Sequence, residues 1–169
     1  MQTIRADKGG DALDKLSQER GDPFVDGVVN DASVEEAWVE QAVKHAQTFS
    51  RLLRCFPDKN KLKLTRIDDE IYASFRQQFP TLNVAVITDE VLKNEKAKPV
   101  WREWMMQYEK LLADNYHFLT LIRYDSSKDY SEANSTVVPR VQFIAIELAR
   151  CREGHNDHIQ FDDDFLTNN

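Results

Sequence analysis

Four side chains near the C-terminus stand in one helical line. Arg140, Phe143, Glu147 and Arg150 follow one another at steps of three, four and three, so on an α-helix they share a face. Two guanidinium groups, a carboxylate and an aromatic ring suit recognition, because arginine keeps its charge and offers a fixed fork of donors. Two readings stay open. In the first, Glu147 pairs with Arg150 inside the chain and Arg140 ties the helix to a neighbour. In the second, the stripe is a docking face anchored by Phe143. Arg123, in the run TLIRYD, is a fifth candidate for partner contact.

The remaining chemistry-bearing groups point to structural roles. Asp68, Asp69 and Glu70 are adjacent and would diverge around a helix, so they suit its positive end better than a metal ion. His155 and His158 flank Asp157 with metal-ligand spacing, but they sit in a terminal segment and no metal site is assigned to them. Cys55 and Cys151 are far apart, and neither has a neighbouring histidine to activate it as a nucleophile. His45 lies on an apolar helix face and reads as a core-edge histidine holding one hydrogen-bond partner. No Walker loop, dinucleotide-binding loop, nucleophile elbow or H-E-x-x-H motif occurs. The chain reads as a binding protein, not an enzyme, with no cofactor.

Several elements must position these groups. Ser33 and Glu36 form a capping box, followed by Trp38, Ala42, His45, Ala46, Phe49, Leu53 and Phe56 on one helical face that stops before Pro57. Thr65 and Asp68 cap a second helix carrying Ile67, Ile71 and Phe75 and ended by Pro80. Residues 82–88 are β-branched and could form a short strand or a buried connection. Thr88 caps a small turn through Asn94, and Pro99 opens a third helix bearing Trp101, Trp104, Met105 and Tyr108. HFLTLIRYD reads as a buried connection, with pairing between 82–88 and 117–124 left open. The last helix runs from Pro139 to Gly154, with Arg150 and Arg152 opposing its negative end.

Glycine sets the limits. Four of the five glycines precede residue 28 and the fifth is Gly154, so residues 28–153 are free of the residue that most weakens helices, and 28–156 read as a single helical domain. Residues 1–27 read as a flexible tail and 157–169 as a short acidic one, from which Phe161 and Phe165 could dock transiently. The expected fold is mainly α: a compact bundle of four to five helices, with room for one short β-hairpin. With 169 residues and a hydrophobic fraction of 41% the core needs neither metal nor disulfide. A net charge of −7 argues against direct nucleic-acid or membrane binding. Two unpaired cysteines and the lack of an apolar leader fit a cytoplasmic protein, and a monomer is expected.

The blocks VNDASVEEAW, LKLTRIDDEIYASFRQQFP, AKPVWR, TLIRYD and VVPRVQFIAIELARCREGHN resemble the eukaryotic polysaccharide biosynthesis domain-containing protein family, over residues 29–156. The last block is the most specific. The chain departs from the pattern at Leu119, where a glycine is expected. The resemblance implies a dedicated cytosolic chaperone of translation elongation factor 1-alpha. Such a chaperone binds the nascent GTP-binding domain at the ribosome and shields it until it folds. The family label suggests, as the alternative, an enzyme or accessory factor of polysaccharide biosynthesis; a generic interaction scaffold is the third reading. The resemblance assigns no client-contact residues, so Arg140, Phe143, Glu147, Arg150 and Arg123 are candidates on physical grounds alone.

Overall fold

The computed structural model describes residues 32–112 and 118–167. The expected N-terminal tail, 1–27, lies outside them. The chain divides into two units, 1–41 and 42–169. In the first, the described residues are helical from Ala32. The second takes in the C-terminal residues that had read as a tail.

Six α-helices, one 3-10 turn and two strands follow in order among the described residues. They are α1 (Ala32–Cys55), the 3-10 turn Lys59–Lys61, α2 (Asp68–Gln78), α3 (Asp89–Lys93) and α4 (Ala97–Met106). Then come β1 (Leu119–Arg123), β2 (Ser135–Pro139), α5 (Arg140–Arg152) and α6 (Asp163–Thr167). The protein is mainly helical with one antiparallel hairpin. Two of the six helices, α3 and α6, are five residues long, which is why the sequence shows fewer helices than the chain forms.

Local rules explain most boundaries. Thr88 caps α3 by accepting from the Val91 amide at 3.4 Å. Asp68 works in reverse: from the first position of α2 it accepts from the amides of Thr65 and Leu64 at 2.7 and 2.8 Å, bracing the entry to the helix. Pro99, expected as the first residue of its helix, is the third residue of α4, which starts at Ala97; in this first turn its missing N–H still costs nothing. α5 is capped by Glu153; Gly154 follows at φ +82° and the His155 amide returns to the Arg150 carbonyl at 2.8 Å. That is a glycine-closed helix end.

The hairpin pairs Leu119 with Pro139, Thr120 with Val138 and Arg123 with Ser135. HFLTLIRYD reads as a buried connection, with strand pairing of 117–124 left open. Instead, residues 119–123 form a strand, because 135–139 supply a β-branched partner. Leu119 stands in that extended strand, where glycine's extra freedom is not needed. The 82–88 segment joins only by one bridge, Val86 to Asp125, through bonds from Ser126 N–H to the Ala85 carbonyl and from Ile87 N–H to the Tyr124 carbonyl, both 2.9 Å.

α5 is the central element of the second unit: every residue from Val141 to Cys151 is buried. Phe143 meets Phe49 and His45 of α1 edge-on at 5.0 and 5.1 Å. Elsewhere, Phe75 and Phe79 of the α2 region pack on Trp101 and Trp104 of α4, with the Phe79–Trp101 rings stacked at 4.1 Å. Both indoles keep a partner, Trp101 on the Val91 carbonyl and Trp104 on the Ser74 hydroxyl, as buried tryptophans require.

Candidate functional site

A helix buried on all sides has no solvent for its charges, so they must satisfy one another. Glu147 sits at the centre. Its Oε1 accepts from Arg150 Nη1 at 2.7 Å and its Oε2 from Asn156 Nδ2 at 3.0 Å. Arg123 Nη2, arriving from the end of β1, donates to both oxygens at 3.3 and 3.2 Å and to Asn156 Oδ1 at 2.8 Å. Arg150 spends its other donors on backbone: Nε on the Val84 carbonyl at 2.6 Å, Nη2 on the Arg123 and Tyr124 carbonyls at 2.8 and 3.2 Å. Arg123 Nη1 holds the Ser126 and Lys128 carbonyls at 2.8 and 3.2 Å. One carboxylate and two guanidinium groups therefore staple α5, β1, the 82–88 connection and the hairpin loop together.

Burial pushes the Glu147 carboxyl up, but the charges of Arg123 and Arg150, with hydrogen bonds from Asn156 and Arg150, outweigh it and hold it below the ordinary carboxylate range. The neighbouring Cys151 thiol is pushed up to about 11 by burial and then by the Glu147 charge. A thiol so placed is inert. Arg123 Nε is left without a partner.

Four of the five candidates are thus not a docking face. Arg123, Glu147 and Arg150 are fully enclosed, and Phe143 is 2% exposed. The open question of the sequence is answered for Glu147 and Arg150 by an internal pair. The reason lies in tertiary packing: strand, connection and loop close over a helix face that the spacing alone left unassigned. Only Arg140, at the first position of α5, stays partly exposed. The spacing missed Asn156 and Tyr130, a buried ring over which Arg123 lies at 5.8 Å. Asn156 could have been suspected from its place two residues beyond the helix-ending Gly154.

His45 does hold one partner. Its Nδ1 lies 2.7 Å from the Thr120 hydroxyl. Burial, and secondly the charge of Arg140, push the imidazole down to about 4. Of the three adjacent acids, Asp68 braces the start of α2 and Asp69 pairs with Arg152 at 2.5 Å. Among the described residues no group of three His, Cys, Asp or Glu could hold a metal ion, and no helix is long and apolar enough to cross a membrane.

The C-terminal residues are laid against α1 and the hairpin loop. Gln160 bridges Lys128, its amide on the Ser127 carbonyl at 2.7 Å. Asp129 accepts from Ser50, Arg54 and the Asp162 amide at 3.0, 3.1 and 3.0 Å. Arg54 continues to Asp163 at 2.6 Å and covers the Phe161 ring at 4.5 Å. Phe165 stacks on Tyr130 at 5.4 Å, and Gln47 Nε2 donates to its carbonyl at 3.0 Å. Residues 160–165 thus form a strap, in which both Phe161 and Phe165 are docked.

Comparison with known proteins matches this architecture. The family model described as PBDC1 protein covers residues 34–161. A Protein PBDC1 from Mus musculus is 45% identical over 75% of this chain and 63% of its own length. Its Homo sapiens counterpart is 42% identical over 75% of this chain and 54% of its own. This chain thus spans less than two thirds of both mammalian proteins. A homolog from Saccharomyces cerevisiae is 40% identical over 75% of this chain and 88% of its own. A solution NMR structure of a Saccharomyces cerevisiae protein superposes with a TM-score of 0.67 at 34% identity, covering 86% of this chain and 97% of that one. With a family model covering most of its length and relatives above 40% identity, the chain belongs to the PBDC1 family.

Proposed function

We propose that this protein is a dedicated cytosolic chaperone that holds the nascent GTP-binding domain of translation elongation factor 1-alpha at the ribosome until it folds. The observation that carries the reading is the family match over residues 34–161, joined to the client that the resemblance implies. The use of polar groups supports it. An enzyme turns arginines and carboxylates toward substrate, whereas the family's most specific block turns Glu147 and Arg150 onto each other and onto backbone. What the second unit presents outward includes Met106, Leu111 and Phe118, 58, 57 and 39% exposed, on a chain of net charge −7. Apolar contact with an incomplete fold, and acidic complementarity to a basic tRNA-handling client, suit that surface.

The test is selective ribosome profiling with the full chain as bait. The expected result is enrichment of essentially one message, with binding beginning once the GTP-binding domain has emerged. Enrichment spread over many messages, or none for elongation factor 1-alpha, overturns the reading.

A further inference from the structure

Residues 160–166 are held by contacts of the kind that recognise a peptide, not of the kind that build a core. Backbone comes first. The Gln160 amide donates to the Ser127 carbonyl and the Gln160 carbonyl accepts from the Asp129 amide, at 2.7 and 3.1 Å, the pairing of an added strand. The Asp129 carboxylate then accepts from the Asp162 amide at 3.0 Å. Arg54 Nη2 donates to the Asp162 carbonyl at 2.8 Å and Gln47 Nε2 to the Phe165 carbonyl at 3.0 Å. Three side chains of the strap are also recognised: Asp163 by Arg54 Nη1 at 2.6 Å, Phe161 beneath the Arg54 guanidinium, and Phe165 on the Tyr130 ring.

Floor and strap differ in how they are held. Asp129 is fixed from within by the Ser50 hydroxyl at 3.0 Å, Arg54 at 3.1 Å and the Tyr130 amide at 2.8 Å. The Tyr130 ring lies beside Arg123, and its hydroxyl donates to the Leu121 carbonyl. None of these contacts involves the strap. By contrast, no residue from Gln160 to Thr167 is fully buried, and the Asp163 side chain that Arg54 grips is 92% exposed. Ion pairs so open to water contribute little. The tether is equally open, since Asp157 and His158 are exposed and Asn156 is the last buried residue among those described. Residues 160–166 can therefore peel away without disturbing Glu147 and its partners. What they uncover keeps its shape: an aromatic ring, the guanidinium groups of Arg51 and Arg54, and a backbone acceptor in Asp129.

We propose that this surface is a peptide groove for an acidic segment of a protein partner with aromatic residues flanking the acids, and that residues 160–166 occupy it as a self-ligand which such a partner displaces. The strap's own Phe-Asp-Asp-Asp-Phe run is the template for that chemistry: carboxylates for the two arginines and a ring for Tyr130. The inference goes beyond the chaperone reading and does not rest on it.

The full chain and its Asp163→Ala/Phe165→Ala variant, whose strap lacks the ion pair and the stacked ring, are titrated with a fluorescent peptide, IQFDDDFLT, copied from residues 159–167. Saturable binding is expected in the variant. The unaltered chain should bind about tenfold more weakly or less, because a self-occupied site shows an affinity reduced by the fraction that is open. Peptide-induced amide shifts in the variant should centre on Ser127, Asp129 and Tyr130, and adding Arg54→Glu should abolish them. A scrambled peptide of the same composition should bind neither chain. Equal affinity in the two chains, no saturation in the variant, or equal binding of the scrambled peptide overturns the proposal. Should the chain carrying Arg54→Glu not fold, shifts in the variant that centre away from 127–130 overturn it equally. No client enters this titration, so its failure leaves the chaperone reading standing, and failure of the ribosome profiling leaves the groove standing.

Discussion

Glu147 and Arg150 lie three residues apart on α5 and meet at 2.7 Å with neither side chain exposed to water. Taking both charges out of solvent is costly, and their attraction compensates only because Arg123, Asn156 and three backbone carbonyls complete the set. The pair therefore acts as the lock of a four-segment junction.

Replacing Glu147 by Gln leaves two buried guanidinium groups facing a neutral amide. The expected loss is about 3 to 5 kcal/mol of stability, read as a drop in the urea midpoint. A shift worth under about 1 kcal/mol would mean that water or rearrangement satisfies the arginines, and the lock would not be one.

His45 should make stability pH-dependent with a definite sign. Its folded value, about 4, lies below the 6.5 of an ordinary imidazole, so the unfolded chain binds the proton more readily. The contribution is fully present above about pH 6.5, declines as pH falls toward 4, and is flat below. The groups facing the ring are Arg140 from α5 and the uncharged Thr120 and Phe143. His45→Gln should remove this part of the slope between pH 7.5 and 4.5. An identical slope in the variant would show that other groups set it.

The strap should open as a unit. Arg54→Ala removes contacts to Asp129, Asp163 and the Asp162 carbonyl together, and Phe165→Ala uncovers Tyr130. Each should speed hydrogen exchange at the Gln160 and Asp162 amides, at a cost of about 1 to 2 kcal/mol in local stability. Unchanged exchange at both amides would mean that 157–167 is held by something other than these side chains.

Gly154→Ala tests the end of α5. An added Cβ meets Asp157 Oδ2 at 3.3 Å and must adopt φ +82°, a left-handed conformation costing an L-residue about 1 to 2 kcal/mol. A thermal melt should register that loss without any change in the helix itself. No measurable loss would show that the turn after Glu153 relaxes freely.

Much of this was legible in the residues. The Thr88 cap, the first-turn Pro99, the glycine-closed end of α5 and the single-face spacing of Arg140, Phe143, Glu147 and Arg150 all follow from local rules that act over one or two helical turns. The order of the five blocks was enough to place the family. Spacing, however, says which side chains share a face and nothing about what covers that face. Arg123 reaches Glu147 from 24 residues away, and Val84 reaches Arg150 from 66. Partners that distant are chosen by how strands, connections and loops pack, not by local periodicity. For the same reason the strand partner of 119–123 and the seating of the C-terminal strap were decided only in three dimensions. The stripe on α5 was written in the sequence; that three of its four members face inward, leaving Arg140 alone partly exposed, was settled by the segments that close over them.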